Sequence, residues 1–279
     1  MSTPQALELL QQSDAEGALK ALQADIRSNP ADVKKRIFLF QLLCVLGQWE
    51  RALNQLTALG EMAASALPMV QTYREAIKCE MLRAEVFAGK KVPMLFGQPD
   101  TWTALLIEAM LREGKGELTE ARTLRDQAFE QAPACPGTVD GQPFAWMADA
   151  DMRLGPVLEA IVNGKYYWIP MDRLSTVQIE APADLRDQVW MPANFMFTNG
   201  GETVGLIPTR YAGSCESGDG ALALSRRTDW LEPLPGFYTG LGQRLLTTDQ
   251  GDLALMDIRR IDFEAQPDDA PTADAAASA

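Results

Sequence analysis

The apolar residues of this chain change their spacing partway along, and that change limits the folds open to it. Up to about residue 132 they recur every three to four positions, as in Ile37, Phe40, Cys44 and in Val70, Tyr73, Ile77, Met81, Ala84, Ala88. That spacing predicts amphipathic helices, broken at Gly47, Gly89, Gly114 and Gly116 and stopped by Pro30 and Pro133. After Pro143 aromatic and β-branched residues take over and the helical period fades. Asn163-Gly164, Asn199-Gly200-Gly201 and Asp249-Gln250-Gly251-Asp252 each lie between short apolar runs and read as three hairpin turns. Frequent prolines predict short, edge-like strands. The pattern therefore predicts an α+β chain: an all-α domain over 1–132, a linker over 133–148 rich in Pro and Gly, a mostly antiparallel β domain with one short helix over 149–264, and a disordered Ala/Asp/Pro tail over 265–279.

Within the helical half the pattern repeats. Ala18-Leu19 and Ala52-Leu53 are 34 residues apart, the tetratricopeptide period. Gly47, Trp49 and Ala52 take the turn, aromatic and small-residue places of that repeat. Gly116 and Ala121 start a further copy, with a divergent helix pair expected between, while Phe40 and Arg36 depart from the pattern. Stacked tetratricopeptide-like helix pairs are the expectation.

Composition removes most catalytic designs. There is no histidine among the 279 residues, so His-based nucleophile systems, HExxH zinc sites and His general bases are excluded. The net charge of −13 argues against nucleic acid and anionic membranes as partners. Cys44, Cys79, Cys135 and Cys215 form no CxxC pair and read as reduced core thiols. Without a signal-peptide pattern or a bilayer-length apolar run, a cytoplasmic protein with no membrane insertion is expected. Asp149-Ala150-Asp151 could ligate a divalent cation but reads first as a solvated linker, so neither metal nor cofactor is expected. Gly236 to Gly242 lacks the lysine of a phosphate loop and reads as a cluster of β-turns. The Arg226-Arg227 and Arg259-Arg260 pairs read as sheet-edge charges, and Trp168, Trp190 and Trp230 as core residues.

The second half also carries specific phrases: Asp151-Met-Arg153-Leu-Gly155-Pro, Val162-Asn-Gly164-Lys-Tyr-Tyr-Trp168, Asp184-Leu-Arg186-Asp187, Val189-Trp-Met-Pro192, Leu206-Ile-Pro-Thr-Arg210-Tyr211, Arg227-Thr-Asp-Trp230 and Gly240-Leu-Gly242-Gln-Arg244. In this order, behind a helical-repeat half, they resemble the ImpE family (also called TagJ or SciE-like) of bacterial type VI secretion accessory proteins. The resemblance implies a non-catalytic adaptor that holds the N-terminal helix of the small contractile-sheath subunit and acts with the ClpV disassembly ATPase. The competing reading is a carboxylate-dependent enzyme or small-ligand binder using the β domain.

The repeat register places the partner surface. First helices of stacked pairs line a concave face, which would present Lys34, Ile37 and Gln41 from one pair and Leu106 and Met110 from another. An amphipathic helix with basic flanks is the occupant that such an acidic body would favour. A rival surface lies in the β half at Trp190, Arg210, Tyr211 and Trp230.

Overall fold

A computed structural model describes residues 4–264; the tail at 265–279 lies outside the described residues. Seven helices come first: α1 (Pro4–Gln11), α2 (Ala15–Ser28), α3 (Val33–Val45), α4 (Trp49–Met62), α5 (Leu67–Phe87), α6 (Thr101–Gly114) and α7 (Leu118–Gln131). Capping explains their starts. Asp14 accepts the Gly17 amide at 2.8 Å ahead of α2, and Asp32 accepts the Lys35 amide at 3.1 Å ahead of α3. α1 packs on α2, α3 on α4 and α6 on α7 as helix hairpins. Ala18, Ala52 and Ala121, the small residues of the repeat pattern, are all fully buried.

The regular array stops there. Between the second and third hairpins stands the single 21-residue α5, followed by a connection carrying the two-residue strand β1 (Met94–Leu95). No further helix pair occupies that stretch, so a 34-residue period does not run through the whole layer. The ends of α5 and α6 cross so closely that a Cβ on Gly89 or Gly114 would strike the other's backbone.

The strands that follow are β2 (Gly137–Val139), β3 (Gln142–Phe144), β4 (Met147–Asp149), β5 (Val157–Val162), β6 (Lys165–Pro170), β7 (Leu174–Ile179), β8 (Trp190–Phe197), β9 (Glu202–Pro208), β10 (Thr228–Leu234), β11 (Phe237–Gly242), β12 (Leu245–Thr248), β13 (Gly251–Ala254) and β14 (Arg260–Phe263). A one-turn helix, α8 (Gly220–Ala223), precedes β10. Nine strands form one sheet in the order β1-β6-β5-β9-β8-β7-β14-β2-β3, antiparallel except for β1 on β6. Smaller β13-β12-β4 and β10-β11 sheets flank it. All three expected hairpins are present as β5–β6, β8–β9 and β12–β13. Positive φ at Asn163 (49°) and Gly164 (72°) gives the β5–β6 turn the twist that a two-residue hairpin requires.

Two sequence readings change here. Residues 133–148 carry β2, β3 and the start of β4, because Asp140 (φ 49°) and Gly141 (φ 81°) make another tight hairpin turn. β8 is an eight-residue central strand despite Pro192, which lies just past the last β7 partner, Ala193. Its carbonyl still accepts the Glu180 amide at 3.0 Å, so only the reciprocal bond is missing, at the end of the β7 pairing.

The sheet has two buried faces. One packs Val157, Ile161, Trp168, Trp190 and Leu206 against the helices in a shared core. The other closes over Val177, Phe195, Ile207 and Ile261. No described helix is long and apolar enough to cross a membrane.

Candidate functional site

The helix layer and the sheet leave an open groove of about 750 Å³ at one end of their contact. Its floor is α3, where the three-then-four spacing sets Lys34, Ile37 and Gln41 on one face. Leu7 and Leu10 of α1 and the 182–188 loop line its sides, with Leu224 and with Arg226 reaching to the end of α1. Leu7 is 42% exposed, Ile37 is half-buried and Lys34 is exposed, so apolar and cationic groups both remain reachable.

Each wall is fastened. The buried Asp187 carboxylate accepts the Ala183 and Asp184 amides at 2.6 and 2.8 Å. Asp184 in turn pairs with Arg186, whose guanidinium lies 5.0 Å from the Tyr73 ring centre on α5. The Thr209 and Ser225 hydroxyls donate at 2.6 Å to the Asp187 and Gln188 carbonyls. Arg226 donates to the Leu10 and Gln11 carbonyls at 2.6 and 3.0 Å, capping the end of α1. The side chain of Arg210 does the same for the floor, donating to the Cys44 and Val45 carbonyls at the end of α3 and to Ala223. The hollow is preformed.

The other expected site residues lie elsewhere. Leu106 and Met110 are 0% and 1% exposed and belong to the core, because the α6–α7 hairpin turns that face of α6 inward. The β-half patch is not a surface either. Trp190, Arg210 and Tyr211 are buried, and only Trp230, expected in the core, is exposed, with its ring 5.8 Å from that of Tyr211. Those residues are buried because they join sheet to helices, as Trp190 does by donating to Glu80 of α5.

The middle of the same contact is sealed and charged. Arg83 of α5 grips Glu159 of β5 at 2.6 and 2.9 Å and donates to the Arg210 carbonyl at 3.0 Å. Arg244 bridges Glu159 and Asp149, and the Tyr166 hydroxyl donates to Glu159. Asp151 pairs with Arg153 at 2.5 Å and accepts the Gly240 amide at 2.9 Å. The Asp149–Asp151 pair is thus buried rather than a solvated linker, because guanidinium groups compensate both carboxylates. Burial pushes Asp149 up to about 7, against the pull of Arg244. Burial would raise Glu159 too, but Arg83 and Arg244 hold it at about 2. Among the described residues no group of three or more Cys, Asp or Glu is placed to hold a metal. Burial also raises all four thiols, with Cys215 at about 11 and Cys79 and Cys135 at about 12, which keeps them protonated at neutral pH.

Gly236 to Gly242 forms strand β11 and its flanks, and the absent side chain of Gly240 makes room for the Tyr211 ring. The sequence reading missed the 182–188 wall, α1 and the charged joint. Glu159, one carboxylate inside the apolar run Val157–Val162, was the available signal for the joint.

Comparison with known proteins adds an independent line. The ImpE protein family profile matches residues 141–262. A Pseudomonas aeruginosa protein named "Type VI secretion system accessory component TagJ" is 55% identical over 260 residues, spanning 93% of this chain and 91% of its own. A crystal structure of a Vibrio parahaemolyticus protein superposes with a TM-score of 0.87 at 25% identity, covering 95% of this chain and 99% of the other.

Proposed function

The chain belongs to the ImpE family, and from that premise we propose that it is a non-catalytic accessory component of type VI secretion whose groove holds the N-terminal helix of the small sheath subunit. In this reading it works in the cytoplasm and delivers or retains the sheath for the ClpV ATPase. The name of the Pseudomonas aeruginosa relative supports the secretion role. The groove carries the rest: a preformed hollow of about 750 Å³ with half-buried Ile37 on its floor, exposed Lys34 at its rim and Gln41 buried one turn further along α3. An amphipathic helix laid there would bury its apolar stripe on Ile37, Leu7 and Leu185 while its polar side stays wet. The non-catalytic part of the reading draws support from carboxylates that are already engaged by arginines in the sealed joint.

The test is Ile37→Asp, assayed for melting and for binding of a synthetic peptide spanning the N-terminal helix of the small sheath subunit. Ile37 is only half-buried, so melting should move by a few degrees at most. Binding should fall by at least tenfold, because a charge replaces a central apolar anchor. Unchanged binding by folded Ile37→Asp would place the partner outside the groove.

A further inference from the structure

The overall charge of −13 points to a partner with basic flanks, but the groove itself has the opposite sign. Three charged side chains line it, and two of them, Lys34 and Arg226, are cationic. The third, Asp184, is already neutralised by Arg186. Arg226 donates to the carbonyls that end α1, so its charge meets no carboxylate there. Lys34 differs from its neighbours on α3. Lys35 is held by Asp25 at 2.6 Å and Arg36 by the Pro30 carbonyl at 2.7 Å, whereas Lys34 has no ion-pair partner among the described residues. It also stands in the first turn of α3, where the helix dipole adds positive potential.

Resting on the groove reading above, we infer that Lys34 selects a partner helix that carries a carboxylate beside its apolar stripe, one turn from the anchor seated on Ile37. The two charges are then complementary within the groove, while basic residues on the partner stay outside, facing the acidic body. Lys34 sits at an exposed rim, so its contribution acts mainly on encounter and orientation. A misoriented helix would bring its carboxylate to Asp184 instead, or leave Lys34 facing apolar groups.

The experiment is a charge cycle with the same synthetic sheath-subunit peptide, its acidic residues replaced one at a time by the corresponding amide. Lys34→Glu should melt like the wild type, since an acidic residue in a first helical turn is favourable. Its affinity should drop about threefold to tenfold, mostly through slower association and more at low salt. One amide variant of the peptide should lose a similar factor with wild-type protein and little more with Lys34→Glu, and a lysine at that peptide position should restore binding to Lys34→Glu. Binding by Lys34→Glu as tight as wild type, or losses that add independently for every acidic position, would overturn the inference while leaving the groove reading intact. A peptide that does not bind the wild-type protein at all overturns both.

Discussion

One contact between helices and sheet is built in two opposite ways. In its middle, α5 meets β5 through fully dehydrated charges, with Arg83, Glu159, Arg244 and Asp149 each matched to a partner. At its end, α1, α3 and the 182–188 loop surround an open hollow lined in part by apolar side chains. The first arrangement tolerates no missing member, because an uncompensated buried charge is far costlier than a lost contact. The second holds its shape through carbonyl caps and turn hydrogen bonds at its edges, so its exposed lining side chains, such as Leu7 and Lys34, are comparatively free to change. Stability should therefore reside in the joint and recognition in the groove.

The strongest challenge to that division is Arg244→Ala. It strips Asp149 of its only guanidinium and Glu159 of one of two, and should cost about 3–5 kcal/mol in urea unfolding. A loss below about 1 kcal/mol would mean that water enters the joint and the contrast is false. Next in size is the pair Leu106→Ala and Ile37→Ala, two positions that the repeat register treats as equivalent. The fully buried Leu106 should lose about 2–5 kcal/mol, and half-buried Ile37 less than about 1 kcal/mol. Equal losses would make the groove floor part of the core.

The most gradual effect is a pH slope. Asp149 in the folded protein titrates near 7, above its ordinary value of 3.8, so the folded state retains a proton that the unfolded chain has released. That stabilisation is complete below about pH 4 and is lost as pH rises through 7, by up to about 1 kcal/mol per pH unit. Glu159 runs the other way: held near 2, its contribution persists above its ordinary 4.5 and disappears only as pH falls towards 2. Urea midpoints between pH 5 and 8 should decline with pH in the wild type and flatten in Asp149→Asn. An unchanged slope would assign it to other groups.

Much of the architecture was legible because it is local. Helix periods, Gly breaks and Asn-Gly turns act within a few residues, and the structure has the three expected hairpins and the helix spans around them. What could not be read depends on partners distant in the chain. In α5 the periodic residue Met81 is 44% exposed, whereas Glu80 and Arg83 turn inward, because their partners Trp190 and Glu159 arrive more than 70 residues later. Leu106 and Ile37 illustrate the same limit at the site. Both are apolar helix positions of equal local character, and only the packing of α6 on α7 buries one while the open groove beside α3 leaves the other reachable. Lys34, Ile37 and Gln41 were found together because three-then-four spacing is a property of α3 alone. The opposite wall was invisible because nothing in α3 encodes it.

The joint between Arg83 and Arg244 has a consequence during synthesis. The chain leaves the ribosome helices first, and the two arginines that share Glu159 are 161 residues apart. At ~5–20 residues per second, α5 waits about 10–30 s for the last member of its ion cluster. Over that interval part of its exposed face is a hydrated arginine and glutamate rather than bare hydrocarbon, a surface that resists association with other nascent chains. The charged residues that lock the finished molecule thus also help keep its first half apart from its neighbours until the sheet is complete.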